Sequence, residues 1–236
     1  MREINTNFIE ILRVSPILIL SGTSSKVSTR EIDKIIAQYT EPELANIRME
    51  SYTEDDNTFV LIHLPEETLC FNESVAKTFG LKAAWFYLKT GITGYTNYRA
   101  INGVFDSRVG QWIYGDKRDE TIGILDDTVF TQYEERSEWL LYSPFLKLDG
   151  QSINEIEVET LPGSNVIDDD ATVALSLTYD GISYGTEWFQ LYGSSLDYNQ
   201  RFMVRRLGHI RNWVGIKFRG ATKSRMAFAL MKVTHD

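Results

Sequence analysis

The chain has 236 residues, enough for one large β domain or two smaller ones with a sizeable core. It is 43% hydrophobic and 12% aromatic, carries a formal net charge of −9, and holds one cysteine and three histidines. A single cysteine excludes internal disulfides, four-cysteine zinc sites and dithiol redox pairs. Met1–Glu10 has no signal-peptide pattern, and the apolar run Ile17–Leu20 is too short to span a bilayer. These features predict a protein with no membrane association, made in a cytoplasm and soluble.

In chain order, the commonest pattern is an apolar run, a polar turn and a second apolar run. Ile17–Leu20, Ser21–Ser25 and Lys26-Val27 form the first case. Phe59–Leu64, Pro65–Thr68 and Leu69–Phe71 form the second, and Trp112–Gly115, Asp116–Glu120 and Thr121–Leu125 the third. All three read as hairpins. Their first strands start 42 and 53 residues apart, near the roughly 40–50 residues of a propeller blade. Between the first two hairpins, Ile32, Ile35, Ile36 and Tyr39 recur at helical spacing behind Ser28 or Thr29 as a cap. Thr40-Glu41-Pro42-Glu43 follows as a capping box. Glu54-Asp55-Asp56-Asn57 is a turn between strands. Asn102-Gly103, Asp149-Gly150 and Asp180-Gly181 are the dipeptides that two-residue hairpin turns favour, and each is predicted to close a hairpin.

A boundary is expected within Tyr133–Ser143, giving hairpin repeats over 1–135 and a sandwich-like region over 136–236. Arg136–Leu141 reads either as a short helix or as the lead-in to a strand. The second region is assigned seven strands: Phe145–Leu148, Ile153–Leu161, Thr172–Tyr179, Thr186–Tyr192, Gln200–Leu207, Trp213–Arg219 and Ala227–Val233. The fold class is therefore mainly β, partly propeller-like and partly sandwich-like, with little helix. In Val214–Arg219 apolar and basic or small residues alternate, so one face is core and the other basic.

Catalytic chemistry finds little purchase in this sequence. Gly181-Ile182-Ser183-Tyr184-Gly185 matches the nucleophile elbow G-x-S-x-G, but strand-like residues come after it where a helix is required, so a turn is the better reading. Asp168-Asp169-Asp170 could ligate calcium but lacks further oxygen ligands at loop spacing. Cys70 lies in an apolar run and reads as a buried hydrophobe. No cofactor, metal or catalytic residue is assigned, and the chain is expected not to be an enzyme.

Charge is the feature that stands out. From Asp197 onward there are nine Lys/Arg and two acids, a net +7, which leaves the first 196 residues at −16. Arg205, Arg206, Arg211, Lys217, Arg219, Lys223 and Arg225 are the candidate partner-binding residues, facing nucleic acid or an acidic protein surface. An alternative is a non-catalytic ligand-binding module, for glycans if Trp85, Trp112, Trp139 or Trp188 line a shallow groove.

A colinear series of short stretches also carries a resemblance. It includes Ile62-His63-Leu64-Pro65, Leu88-Lys89-Thr90-Gly91, Gly115-Asp116-Lys117, Ser143-Pro144-Phe145 and Glu157-Val158-Glu159. It continues through Tyr179–Gly185, Arg205-Arg206-Leu207-Gly208 and Gly215–Arg219. In these the chain resembles the packaged-DNA stabilisation protein, or tail hub, of short-tailed phages of the Salmonella-phage type. The resemblance implies a propeller-like virion subunit in a homo-hexameric ring below the portal and its adaptor ring. Such a subunit holds the tail needle, flanks the tailspikes, and helps keep packaged DNA inside the capsid, in indirect proximity to it. It is synthesised in the bacterial host cytoplasm and ends in the virion tail. Members of that family are about twice as long, so the chain is expected to be a fragment, a prophage remnant or a split-gene product.

Overall fold

The computed structural model describes residues 8–11, 17–20, 24–92, 96–126, 128–161, 163, 165–167, 169 and 171–236. The chain forms two compact units. The first comprises Met1–Lys89 and Asn97–Ile124, the second Thr90–Thr96 and Leu125–Asp236. Among the described residues no helix is long and apolar enough to cross a membrane.

The first unit is a series of small open antiparallel sheets. Strands β1 (Phe8–Ile11), β2 (Ile17–Leu20) and β3 (Ser24–Lys26) form a meander; the turn expected at Ser21–Ser25 lies partly outside the described residues. Helix α1 (Arg30–Ile36) starts where Thr29 accepts the Ile32 N–H, and buries Ile32 and Ile36. Helix α2 (Glu41–Leu44) comes next, with the Glu43 carboxylate taking both the N–H and the hydroxyl of Thr40. Strands β4 (Arg48–Glu54), β5 (Asn57–His63), β6 (Thr68–Asn72) and β7 (Trp85–Leu88) then pair consecutively, as the strands of a propeller blade do. Asp55 and Asp56, both at positive φ, make the two-residue turn between β4 and β5. Strand β6 is buried along its whole length, and Leu69, Phe71 and Ile62 pack with Ile32, Ile36 and Ala84. Each such side chain contributes about 1.5–3 kcal/mol through removal from water.

Helix α3 (Glu73–Phe79), between β6 and β7, was not expected. Asn72 caps it by accepting the Val75 N–H at 3.0 Å, and Gly80 at φ 86° ends it. None of its residues is buried, so no apolar stripe marks it in the sequence.

Strands β8 (Ala100–Asp106), β9 (Gln111–Asp116) and β10 (Ile122–Leu125) form a three-stranded meander. Here Asn102-Gly103 corrects the hairpin expectation. The dipeptide lies inside β8, where Asn102 and Gly103 together oppose Tyr114 and the register shifts between Ile101 and Val104. It is a β-bulge, made possible by Asn102 at φ 59°. Glycine is required at 103, since a Cβ there would lie 2.5 Å from the Tyr114 ring.

The second unit is a sandwich of two antiparallel sheets. One runs β11 (Thr131–Gln132), β12 (Glu135–Tyr142), β18 (Trp213–Thr222), β15 (Thr172–Thr178), β16 (Trp188–Leu191), with β13 (Leu146–Lys147) also on β18. The other runs β17 (Phe202–Ile210), β14 (Gln151–Thr160), β19 (Phe228–His235). Each of the seven expected strands corresponds to one of these, and Arg136–Leu141 is strand. Ile156, Leu175, Tyr192, Phe202, Ile210 and Val214 are fully buried between the sheets. Alternation in β18 is as expected, with Val214, Ile216 and Phe218 in the core.

Asp149-Gly150 is also corrected. Both residues have positive φ, and Gln151 N–H bonds to Leu148 C=O at 3.2 Å, as in a hairpin turn. The flanking strands, however, enter different sheets, so the turn carries the chain across the sandwich. Asp180-Gly181 belongs to the longer loop 179–187 between the paired strands β15 and β16, not to a two-residue turn.

Candidate interaction surface

The seven candidate cations do not share one sheet face. Arg205 and Arg206 lie on β17 in one sheet, Lys217 and Arg219 on β18 in the other. Arg211 sits in the two-residue connection before β18, and Lys223 and Arg225 lie just past its end. A ten-residue strand rises roughly 30 Å, so Arg211 and the Lys223–Arg225 pair belong to opposite ends of the sandwich.

Pairing divides them further. Glu155, Glu157 and Glu159 form an acidic stripe along β14, between β17 and β19. Arg205 donates to Glu155 at 2.8 Å, Arg201 pairs with Glu157 at 2.6 Å, and Lys232 pairs with Glu159. On the other sheet Glu187 receives Arg219 at 2.6 Å and Lys217 at 3.6 Å, and the Arg219 guanidinium holds its carboxyl below the usual value. Lys217 also stands 4.6 Å above the Tyr184 ring. Among the described residues Arg206, Arg211, Lys223 and Arg225 form no ion pair. Arg206 is further distinguished by φ 60° at a β-bulge opposite Asn154, a left-handed conformation that costs an arginine about 1–2 kcal/mol.

The catalytic-looking motif is a structural loop. The Asp180 carboxylate accepts the Ile182 and Ser183 N–H groups at 2.8 Å each and the Ser183 hydroxyl at 2.6 Å. These donors, the hydroxyl foremost, hold its carboxyl far below the ordinary carboxylate range. Ser183 thus donates to a carboxylate, strand β16 comes after the loop where an elbow has a helix, and His209 lies on β17 opposite Ser152.

Asp168 and Asp170 lie outside the described residues. Asp169 is buried and accepts from Ser224 and Thr222 hydroxyls at 2.6 and 2.8 Å and from the Lys223 N–H at 3.0 Å. Burial raises its carboxyl, but these bonds outweigh burial and lower it. Among the described residues no group of three or more His, Cys, Asp or Glu could hold a metal ion. Cys70 is fully buried, and burial pushes its thiol up to about 12, so it is unreactive at neutral pH.

The tryptophans named for a glycan groove pack into their own units. Trp85 donates to Val27 C=O at 2.9 Å and contacts Phe71. Trp112 lies among Tyr52, Phe105 and Tyr114. Trp139 covers Gly220 and meets Phe228, and Trp188 packs against the sandwich core. Sequence reasoning missed the polar junction of the first unit, where Glu50 on β4 accepts both N–H groups of the β8 bulge.

Hairpin meanders followed by a β-sandwich define a mainly β protein of propeller-plus-sandwich type. A family model for the β-propeller part of bacteriophage P22 Gp10 matches residues 13–130, and one for its β-sandwich part matches residues 138–236. The chain belongs to the bacteriophage P22 Gp10 family. It is 33% identical over 207 residues to the tail hub protein gp10 of Salmonella phage P22, a match covering 88% of this chain and 42% of that protein. The chain therefore spans less than half the length of that relative.

Proposed function

We propose that this chain is a structural subunit of a short phage tail and works through protein–protein contacts rather than catalysis. The observation that carries this reading is the order of its two parts: propeller-type meanders and then a sandwich, colinear with the two parts of the tail hub family. In this reading 1–135 and 136–236 are separate domains, and the subunit joins a homo-hexameric ring beneath the portal and adaptor. There it contacts needle and tailspike and closes the channel behind packaged DNA. The seven basic residues of the sandwich supply partner contacts, chiefly the four without ion pairs.

Co-expression with the portal and adaptor proteins of a tail assembly tests it. The chain is expected to co-purify with them as a ring-sized particle. A chain that stays monomeric beside assembled portal and adaptor overturns the reading. Direct DNA binding has less support, since Arg205, Lys217 and Arg219 already face carboxylates.

A further inference from the structure

Asn102-Gly103 is the only Asn-Gly pair in the chain, and the fold leaves little choice about it. Asn102 stands at φ 59°, a conformation that asparagine tolerates better than most side chains. Position 103 faces the Tyr114 ring and admits no Cβ. The bulge thus sets a glycine nitrogen, unshielded by any side chain, directly after an asparagine carboxamide. Asn102 is exposed, and among the described residues its side-chain nitrogen has no hydrogen-bond partner.

The chemistry open to such a pair is ring closure. The Gly103 nitrogen bonds to the Asn102 side-chain carbonyl carbon, its proton passes to water, and the side-chain nitrogen departs as ammonia. Water then adds to either carbonyl of the cyclic imide and cleaves that C–N bond. The product is aspartate, or isoaspartate with the backbone rerouted through the side chain. No oxidant or reductant takes part.

Glu50 holds the nucleophile back. The Gly103 N–H lies on one of its oxygens at 2.9 Å and the Asn102 N–H on the other at 2.5 Å. Removing the Gly103 proton sets a second negative charge beside the Glu50 carboxylate, whose side chain is only 16% exposed and so weakly screened. A carboxylate is itself far too weak a base to keep an amide proton. Arg48 acts at the other end, where its Nη1 bonds to the Asn102 side-chain oxygen. That guanidinium is placed to stabilise the oxyanion of the addition step once the nitrogen is free. The carboxylate therefore decides whether the pair reacts.

We propose that Asn102-Gly103 is a latent self-modification site, closed by the Glu50 carboxylate and primed by Arg48, and that opening of the β4–β8 junction lets it deamidate irreversibly. Either product places a second carboxylate against Glu50, and isoaspartate also lengthens the backbone of the bulge, so the junction does not re-form. The inference stands apart from the tail reading, because it rests on β4 and β8 alone.

The test follows residue 102 by mass spectrometry after digestion of the full chain stored at neutral pH, with isoaspartate counted by methyltransferase labelling. The same chain unfolded in guanidinium gives the unrestrained rate. Wild type is expected to deamidate about a hundredfold more slowly than the unfolded chain, since closure proceeds only from the opened junction. Glu50→Gln, which keeps the shape without the charge, is expected to deamidate about tenfold faster than wild type. Adding Arg48→Ala to Glu50→Gln is expected to slow it again about threefold, a modest loss because the guanidinium is exposed. Asn102→Asp builds the product directly and is expected to lose hydrogen-exchange protection at Gly103 while the β5–β6 amides stay protected. A faster rate in Glu50→Gln supports the proposal only while those β5–β6 amides stay protected; if they do not, the wild-type rate against the unfolded chain and the exchange of Asn102→Asp decide it. Wild type reacting at the unfolded rate, Glu50→Gln no faster than wild type, or a protected Gly103 amide in Asn102→Asp overturns the proposal.

Discussion

Glu50 on β4 accepts the backbone N–H of Gly103 on β8 at 2.9 Å, and its second oxygen accepts that of Asn102 at 2.5 Å. One side chain thus joins two sheets of the first unit at the bulge, with Arg48 bonded to the Asn102 side chain beside it. Bonds from neutral donors to a carboxylate are worth about 1.5–3 kcal/mol each net of competition from water. Glu50→Ala is expected to lose protection of the Asn102 and Gly103 amides in hydrogen exchange, while the β5–β6 amides stay protected. Unchanged protection at the bulge would show that the ladder to β9 suffices alone.

His63 gives this unit a pH dependence. It is buried on β5, with Thr68 at 3.3 Å from Nδ1 and Glu50 at 3.6 Å from Nε2. Burial, helped by Lys117 and Arg48, pushes its pKa from the ordinary 6.5 down to about 4. The unfolded chain therefore binds a proton that the folded chain refuses. Stability is at its full value above pH 6.5 and falls as pH drops toward 4, by up to about 3 kcal/mol. Urea midpoints at pH 7 and pH 4.5 check this. His63→Gln is expected to remove most of the slope in that window.

A second acid window lies lower. Asp116 has no exposed side-chain surface, and Arg99 donates to it through Nε and Nη2 while also reaching Asp119 at 2.9 Å. Those bonds, with donors from Arg118 and Thr121, hold the Asp116 carboxyl far below its ordinary 3.8. The stability it contributes is present above pH 3.8 and is lost as pH falls below that value. Asp116→Asn leaves the buried Arg99 partly uncompensated and is expected to cost about 3–5 kcal/mol at neutral pH. A cost below about 1 kcal/mol in chemical denaturation would mean that Asp119 neutralises Arg99 alone.

Legibility in the sequence tracked physical locality. Strand β18 announces itself because apolar residues alternate in Val214–Phe218 and fix the period, whereas β15, buried on both faces, reads as an apolar run. Asn102-Gly103 and Asp149-Gly150 were legible as positive-φ sites but not as hairpins, because the same backbone angles serve a bulge and a sheet crossing. Distant pairing partners decide which of these the chain adopts. Helix α3 was illegible since only Val75 and Ala76 pack, and only partly, against the core, too little for an apolar stripe. The basic tail read as an open surface because its counter-charges, Glu155, Glu157, Glu159 and Glu187, lie 30 to 75 residues away in sequence and meet it only across strands.

That pairing ranks the candidate contacts. Arg205, Lys217 and Arg219 are each matched to a glutamate, so their charge is largely spent within the subunit, whereas Arg206, Arg211, Lys223 and Arg225 project uncompensated charge. Uncompensated charge at a rim chiefly speeds encounter and is screened by salt. Replacing the four unpaired cations with glutamine is expected to slow association with the adaptor protein about tenfold at low ionic strength, with the difference vanishing near 1 M salt. A variant that removes whole pairs, Arg205 with Glu155 and Arg219 with Glu187, all to glutamine, keeps the local charge balance and is expected to change association less than twofold at any salt. Stopped-flow association rates across a salt series separate the two sets. Equal losses from both would mean that the internal pairs open on binding, and that the whole basic region, rather than its unpaired part, meets the partner.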